Sequence, residues 1–258
     1  MPTITASAMR AVVWVLCLVT GLAAPCARAA AKLVDLQLPA GARVGLVSVL
    51  DAEVTHFHAA RQVQASFLKT YPVGWSVDAM LGEALRTQLT QLGVTPVTVR
   101  ASEALLRARE ACFLNANLAK GLSKECATPY AQLAFQERLD ALIVLGPGLN
   151  DGDHAGGTRR KDLPEYLRGW CLVTGEEGIA TPTLLNLTEL ILIGVPPSGP
   201  VLAAREWGGA GSGKWVGFSA PQDLKAFSDK QLDPLRPLYT AMLAGQGTAL
   251  IAHLHVAR

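Results

Sequence analysis

The sequence lacks the motifs that identify common catalytic and metal sites. It contains no Gly-x-Ser-x-Gly, no His-Glu-x-x-His and no Cys-x-x-Cys, which are the patterns typical of serine hydrolases, zinc enzymes and dithiol or zinc proteins. Ser, His and Asp residues are present, but no spacing brings a nucleophile and a base together. The sequence therefore favours a non-catalytic protein and predicts no cofactor.

The sequence also lacks long runs of one charge. The densest basic run is Arg159-Arg160-Lys161, and the chain carries 23 Lys and Arg against 21 Asp and Glu. The first 29 residues hold two arginines and no acidic residue, so the remaining 229 residues carry 21 of each sign. Nucleic-acid-binding proteins depend on a basic surface, so nucleic acid is not expected as a partner.

The apolar run Ala11–Ala24 has 14 residues, whereas a membrane-spanning helix needs about 20. Arg10 precedes this run and Ala27-Arg28-Ala29 follows it, which is the pattern of a secretory signal peptide. The sequence predicts a signal peptide over residues 1–29, cleaved after Ala29. It predicts a periplasmic or secreted protein over residues 30–258, with no stable membrane anchor after cleavage.

Lipidation at Cys26 is the alternative to simple cleavage. A lipid-attachment signal needs a small residue just before the cysteine, and Pro25 stands there, so cleavage is favoured.

Three cysteines follow the signal peptide, and export would place them in an oxidising compartment, where two of them are expected to pair. Cys112 and Cys126 are close in sequence, on either side of a segment that contains Gly and Asn. We expect these two to form a disulfide. Cys171 lies in a strand-like run and is expected to be buried and free.

The first half of the chain alternates strands and helices. The apolar run Ala141–Gly146, bounded by turn-forming residues, predicts a strand buried on both faces. Gly41–Leu50 predicts a second strand, and Val94–Val99 a third that lies at a sheet edge because of Pro96. Asp51–Phe67 alternates in polarity and predicts an outer strand or ribbon.

Helices are predicted between these strands. Ser76 is a good N-cap for a helix that runs to Leu92. A second helix begins after Ser102 and runs to Cys112, and a third begins at Thr128-Pro129, since proline favours the first helical position.

The second half changes character. Leu167–Thr174, Leu184–Val195 and Val201–Trp207 predict three consecutive strands, the last two in an antiparallel hairpin. A C-terminal helix follows, interrupted or bent at Gly245 and Gly247. The fold class is thus α/β: one domain over residues 30–258 with a mixed sheet, a strand-helix-strand first half, an antiparallel meander in the second half, and helices packed on the sheet.

The pattern of Ala42–Leu50, Val77–Leu92, Asp140–Gly148 and the hairpin that ends Ser-Gly-Pro-Val-Leu-Ala-Ala-Arg-Glu-Trp resembles a group of exported bacterial α/β modules. These are the TolB amino-terminal type and the CsgG-like and LpoB-like modules. The resemblance implies protein–protein contacts in the cell envelope rather than catalysis. A lipid anchor, which several of those proteins carry, is not expected in this chain because Pro25 precedes Cys26.

The segment Gly208-Gly-Ala-Gly-Ser-Gly-Lys214 fits the first seven positions of a phosphate-binding loop. The next position needs Ser or Thr to hold magnesium, and Trp215 stands there. No helix is predicted directly after it. A glycine-rich turn over Gly208–Gly217 is therefore expected, and a nucleotide is not.

The histidines occur in three places. His56 and His58 are two apart on a predicted strand, so both rings lie on one face and form a candidate metal site. A meeting of this pair with His253 and His255 would supply four ligands, but a helix would separate the rings of the second pair by about 200°. Surface histidines with no ligand are the favoured interpretation.

The loop over residues 149–161 holds the densest set of reactive groups, and it follows the most buried strand. Ligands in open α/β sheets bind beyond the carboxyl ends of strands, so this loop is the predicted binding region. The candidate binding residues are Asn150, Asp151, Asp153, His154, Arg159 and Arg160.

Two functions follow from these patterns. The favoured one is an exported, non-catalytic protein-interaction or assembly module of the cell envelope, which binds an envelope protein through the loop Asn150–Arg160. The alternative is a periplasmic small-molecule or metal-binding protein, or an enzyme, with its site in the 149–161 loop.

Overall fold

The structure is a computed structural model that describes residues 35–114, 121–148, 163–164, 166–175, 182–208, 212–215, 218, 221 and 223–257. Within these residues the chain forms eleven β-strands and five α-helices. Nine of the strands form one mixed sheet, and the other two form a separate short pair. Helices pack on the main sheet, so the fold is the mixed α/β class that the sequence predicts.

The strands are β1 (Leu36–Leu38), β2 (Arg43–Ser48), β3 (Glu53–Ala59), β4 (Phe67–Pro72), β5 (Thr95–Thr98), β6 (Ala141–Pro147), β7 (Gly169–Gly175), β8 (Thr183–Gly194), β9 (Val201–Trp207), β10 (Ser212–Lys214) and β11 (Leu254–Val256). The helices are α1 (Val77–Gln91), α2 (Glu103–Arg109), α3 (Lys124–Glu137), α4 (Asp229–Leu232) and α5 (Leu235–Ile251). A π-helical turn, Glu110–Leu114, follows α2 directly.

Strand β6 lies in the centre of the core, as its apolar sequence predicts. It pairs with β2 in parallel and with β8 antiparallel, and all seven of its residues are buried. Ala141, Ile143 and Leu145 belong to the cluster that α1 and α5 cover. Leu142 and Val144 belong to the cluster on the other face, beneath α2 and α3. The alternation follows from the period of two along a strand.

Strand β8 joins two halves of the sheet. Its residues 188–194 pair with β6, whereas its residues 183–187 pair with β7. The other edge of β8 pairs with β9 and then with β10. Strands β2 and β5 extend the β6 half, and β3 and β4 extend the β7 half. Along one edge of β8, the partner strand changes from β6 to β7. The sheet is therefore split at this point, where β2 and β6 end and β3 and β7 begin.

Of the two alternatives predicted for Asp51–Phe67, an outer strand is wrong for β3, whereas β3 and β4 do form an antiparallel two-stranded ribbon at the edge of the sheet. This strand lies between β4 and β7, one position inside the sheet edge. The sheet gains β4 from Phe67–Pro72, a segment that the sequence pattern did not predict as a strand. Because β4 takes the edge, the residues of β3 are largely buried.

Helix α3 begins one turn earlier than predicted. Ser123 is its N-cap and Pro129 lies inside the helix, not at its first position. The backbone N–H of Cys126 and that of Ala127 donate to the carbonyl of Ser123. Proline removes the N–H bond of its own position, but the bonds of the turn before Pro129 are donated by other residues, so that turn forms ahead of the proline.

Helix α5 runs from Leu235 to Ile251 without a break, so the predicted interruption at Gly245 and Gly247 is wrong. Gly247 instead permits close packing of α5 on α1, because a Cβ atom at this position would overlap Leu85. The chain then ends in β11, which pairs in parallel with β1. The sequence pattern predicted neither of these two short strands.

Cys112 and Cys126 lie at disulfide-bonding distance, with their Cα atoms 5.6 Å apart. The pair joins the π-helical turn after α2 to the first turn of α3, and both residues are fully buried in the cluster beneath these helices. This is the pairing that the sequence favours. Cys171 is buried and unpaired, and burial raises the pKa of its thiol to about 12.

Candidate functional site

The predicted binding loop lies outside the described residues. This applies to all six of its candidates, Asn150, Asp151, Asp153, His154, Arg159 and Arg160. The strand that leads into the loop is described, and it ends at Pro147. The described residues nearest to the loop are therefore those at the end of β6, which we call the root of the loop. The root lies at the split in the sheet.

The root of the loop borders a charged cleft, formed by Asp51, Glu53, Arg109 and Arg168 with apolar neighbours. Arg109 Nη1 donates to Asp51 Oδ2 at 2.6 Å. Burial raises the pKa of Glu53, and the nearby Asp51 carboxylate adds to this effect. The two guanidinium groups oppose it. Acidic and basic groups thus face each other across the split.

The charged cleft is small. Its cavity volume is about 20 Å³, which is room for about one water molecule. The cleft lies at the carboxyl ends of β2 and β6, where the strand-end rule predicts a ligand site. Its size suits an ion-pair network that links the two halves of the sheet better than it suits a substrate. Sequence reasoning missed Asp51 and Glu53, although Asp51 lies just after the buried strand β2 and Glu53 begins β3.

His56 and His58 lie on one face of β3, but they are not surface residues as predicted. His56 is fully buried and His58 is 7% exposed. Thr174 Oγ1 bonds to His56 Nε2 at 2.7 Å and to His58 Nδ1 at 2.8 Å. The rings of Phe67 and Phe227 pack edge-on against His56. Strand β4 and the segment before α4 together cover both histidines, which the sequence pattern predicts at the surface of an outer strand.

In the described part of the chain, no third protein ligand accompanies His56 and His58 to hold a metal ion. No group of three or more His, Cys, Asp and Glu side chains is arranged to hold a metal ion there. His253 and His255 instead lie beside Asp35, at 3.3 and 3.5 Å. The metal site at His56 and His58 stays a prediction from the sequence.

The buried position of His56 predicts a pH-dependent stability. Burial and, to a smaller extent, the nearby His58 lower the pKa of His56 to about 4, against the opposing effect of a backbone carbonyl at Leu224. The unfolded chain therefore binds a proton below pH 6.5, whereas the folded chain does so only near pH 4. We expect His56 to remove about 3 kcal/mol from the free energy of unfolding as the pH falls through this window.

Chemical denaturation at several pH values measures this effect. The variant His56→Gln is expected to have a flatter stability profile between pH 6.5 and pH 4 than the wild type. His255→Gln, at a half-exposed position on β11, is the control and should keep the wild-type slope. Equal slopes for wild type and His56→Gln would show that burial does not lower the pKa of His56 in the folded protein.

The glycine-rich segment does not form the predicted turn throughout. Ser212–Lys214 is strand β10, which pairs antiparallel with Thr183–Leu185 of β8. A phosphate-binding loop directs successive backbone N–H groups toward the ligand. In β10 the backbone is instead part of a sheet. Trp215, which stands at the magnesium-binding position of the motif, is buried in the main core.

A buried ion pair lies beneath α3. Glu189 of β8 bonds to Arg205 of β9, and their side chains are 0% and 13% exposed. Burial raises the pKa of Tyr130 on α3, and the charge of Glu189 adds to the shift. Sequence reasoning missed this pair. Its signal was a single acidic residue inside the apolar run of β8.

An apolar groove of about 370 Å³ lies between β1 and the β8–β9 hairpin. Leu36 packs on Gly194, where a side chain would overlap it, and this contact sets β1 beside the end of β8. Val201 is 48% exposed on the groove wall. The apolar lining is Leu36, Leu38, Pro39, Val195, Pro196, Pro197, Val201 and Ala203. The sequence predicts only a hairpin at this place, and sequence reasoning missed the groove.

The groove and the charged cleft lie at opposite ends of β6. Asp140, just before β6, lines the groove, and Pro147, at the end of β6, lines the charged cleft. A strand of this length spans roughly 20 Å. The two surfaces can therefore be changed independently.

No family model matches the chain, and no curated protein matches it. Among solved structures, the chain is similar to the LpoB C-terminal domain from Salmonella enterica, with 14% sequence identity and a TM-score of 0.22. The match covers 69% of this chain and 85% of that domain. At this TM-score the likeness supports no inference about function.

None of the helices in the described ranges has the length and apolar character that a membrane crossing requires.

Proposed function

We propose that the protein is an exported, non-catalytic interaction module of the cell envelope, and that a protein partner binds in the apolar groove. The sequence supports export through the signal-peptide pattern of residues 1–29 and supports a periplasmic location after cleavage. The partner surface is the part of the proposal that rests on geometry.

The contrast between the two cavities carries the proposal. The charged cleft has room for about one water molecule, whereas the groove holds about 370 Å³. Small-molecule sites enclose most of their ligand. The groove is instead open, with Pro196, Pro197 and Val201 all exposed along one wall. Open apolar surface of this kind favours a protein partner.

The loop Asn150–Arg160 stays a second predicted contact surface. Arg159 and Arg160 are its expected anchors, because guanidinium groups form paired hydrogen bonds with carboxylates. The alternative function, a small-molecule or metal-binding protein with its site in the same loop, also stays a prediction from the sequence.

Capture of partners from the native envelope tests the proposal. The variant Val201→Arg places a charge on the apolar wall, and we expect it to reduce partner capture at least about tenfold, as the loss of a central apolar contact does. Leu106→Arg is the matched control, since Leu106 on α2 is similarly exposed at 42%. The control should capture as the wild type does.

A loop deletion separates the two surfaces. Residues 151–158 are replaced by a short Gly-Ser turn, which costs little stability because closure entropy changes slowly with loop length. If the deletion variant loses partner capture and Val201→Arg captures the partner normally, the partner binds at the loop. This result would contradict the proposal that the groove is the partner surface. Turnover of a small substrate that Asp153→Asn abolishes would favour the alternative function.

A further inference from the structure

The apolar groove has a backbone edge as well as apolar walls. Strand β1 uses the N–H of Leu36 and the carbonyl of Leu38 to bond to the segment that forms β11. Bonding groups of successive residues alternate between the two edges of a strand. The N–H and the carbonyl of Gln37 therefore face away from β11, and Gln37 lines the groove.

The charged groups that line the groove are both acidic. They are Asp35 and Asp140, at exposed positions, and among the described residues no Lys or Arg lines the groove. Asp35 faces His255 of β11 and His253, which lies just before β11. Asp140 Oδ2 accepts the backbone N–H of Arg43 at 2.8 Å, and the Arg43 side chain bonds instead to carbonyls at the end of α3. Among the described lining residues, the groove therefore presents two carboxylates and no basic side chain.

We infer that the groove takes an extended peptide segment that is apolar along its length and carries Lys or Arg. The segment lies beside β1 as an added strand, with the Gln37 backbone as its hydrogen-bonding partner. Its apolar side chains contact Leu36, Val195 and Val201, and its basic side chains approach Asp35 and Asp140. This inference rests on the proposed function and names the chemistry of the partner.

Fluorescence anisotropy with two short labelled peptides tests the inference on the full-length chain. Both peptides alternate Val and Leu and have the same length; one carries two lysines, and the other carries two glutamates at the same places. We expect the lysine peptide to bind about fivefold more tightly, the size that two exposed ion pairs support. Added salt should reduce this difference, because it screens exposed charges.

The double variant Asp35→Asn/Asp140→Asn should bind both peptides equally. Both aspartates are exposed, so the variant is expected to fold. Tighter binding of the glutamate peptide, equal binding of the two peptides by the wild type, or binding of neither would overturn the inference. The proposed function would then still stand if Val201→Arg loses capture of the native partner, so the two failures are distinguishable.

Discussion

Replacing Glu189 with alanine is expected to lower the free energy of unfolding by about 3–5 kcal/mol, the usual cost of breaking a buried ion pair. The Glu189 side chain is fully buried and its partner Arg205 is 13% exposed. Removal of the carboxylate leaves the guanidinium group in a largely dry environment without that neutralising charge. Urea denaturation of wild type and variant measures the loss.

The double variant Glu189→Leu/Arg205→Leu separates charge from packing. Apolar residues of similar size often replace a buried ion pair with little change in stability, so the double variant should be much more stable than Glu189→Ala. An alanine variant within about 1 kcal/mol of the wild type would contradict the importance of the pair, because surface-like substitutions have effects of that size.

Loss of the Cys112–Cys126 bridge is expected to cost about 3 kcal/mol, because a bridge across 14 residues limits the freedom of the unfolded chain by about that amount. The effect should appear as a lower denaturation midpoint of the wild type in the presence of a reductant. The variant Cys112→Ala/Cys126→Ala should have the same midpoint with and without reductant.

The variant Cys171→Ala is the control for that experiment. Cys171 is buried and unpaired, so its removal should leave the effect of the reductant unchanged. A non-reducing peptide map of the wild type that finds Cys112 and Cys126 as free thiols would contradict the bridge.

Local sequence patterns predicted most of the sheet. The apolar run of β6 predicts a strand buried on both faces, and the hairpin of β8 and β9 follows from a proline- and glycine-rich turn. Ser76 and Ser102 accept backbone N–H groups at the starts of α1 and α2, as their positions predict. Pro96 places β5 at the sheet edge. Each of these features depends on residues close together in the sequence.

The remaining features depend on contacts between distant segments. Gly247 would interrupt an isolated helix, but its contact with Leu85 on α1 makes the absence of a side chain useful. His56 is buried because β4 and Phe227 cover β3. No local pattern carries that information, so the burial of the two histidines could not be predicted from the sequence.

The candidate site has the same limitation. The charged cleft joins residues from β3, from α2 and from the start of β7, and the groove joins the first described strand to the β8–β9 hairpin. The sequence gives the residue types at each place, but only the strand register brings them together. The strand-end rule directed the prediction to the loop over residues 149–161 after β6, and not to the charged cleft.

Photocrosslinking from the apolar groove tests the partner surface most directly. A photoreactive amino acid replaces Val201 on the groove wall, and in a second variant it replaces Leu106 on α2, which is similarly exposed. In the native envelope we expect a discrete crosslinked product from position 201 and none from position 106. A third variant carries the photoreactive amino acid in place of Asp153 in the loop. A product from position 106 or from position 153, with none from position 201, would contradict the groove as the partner surface.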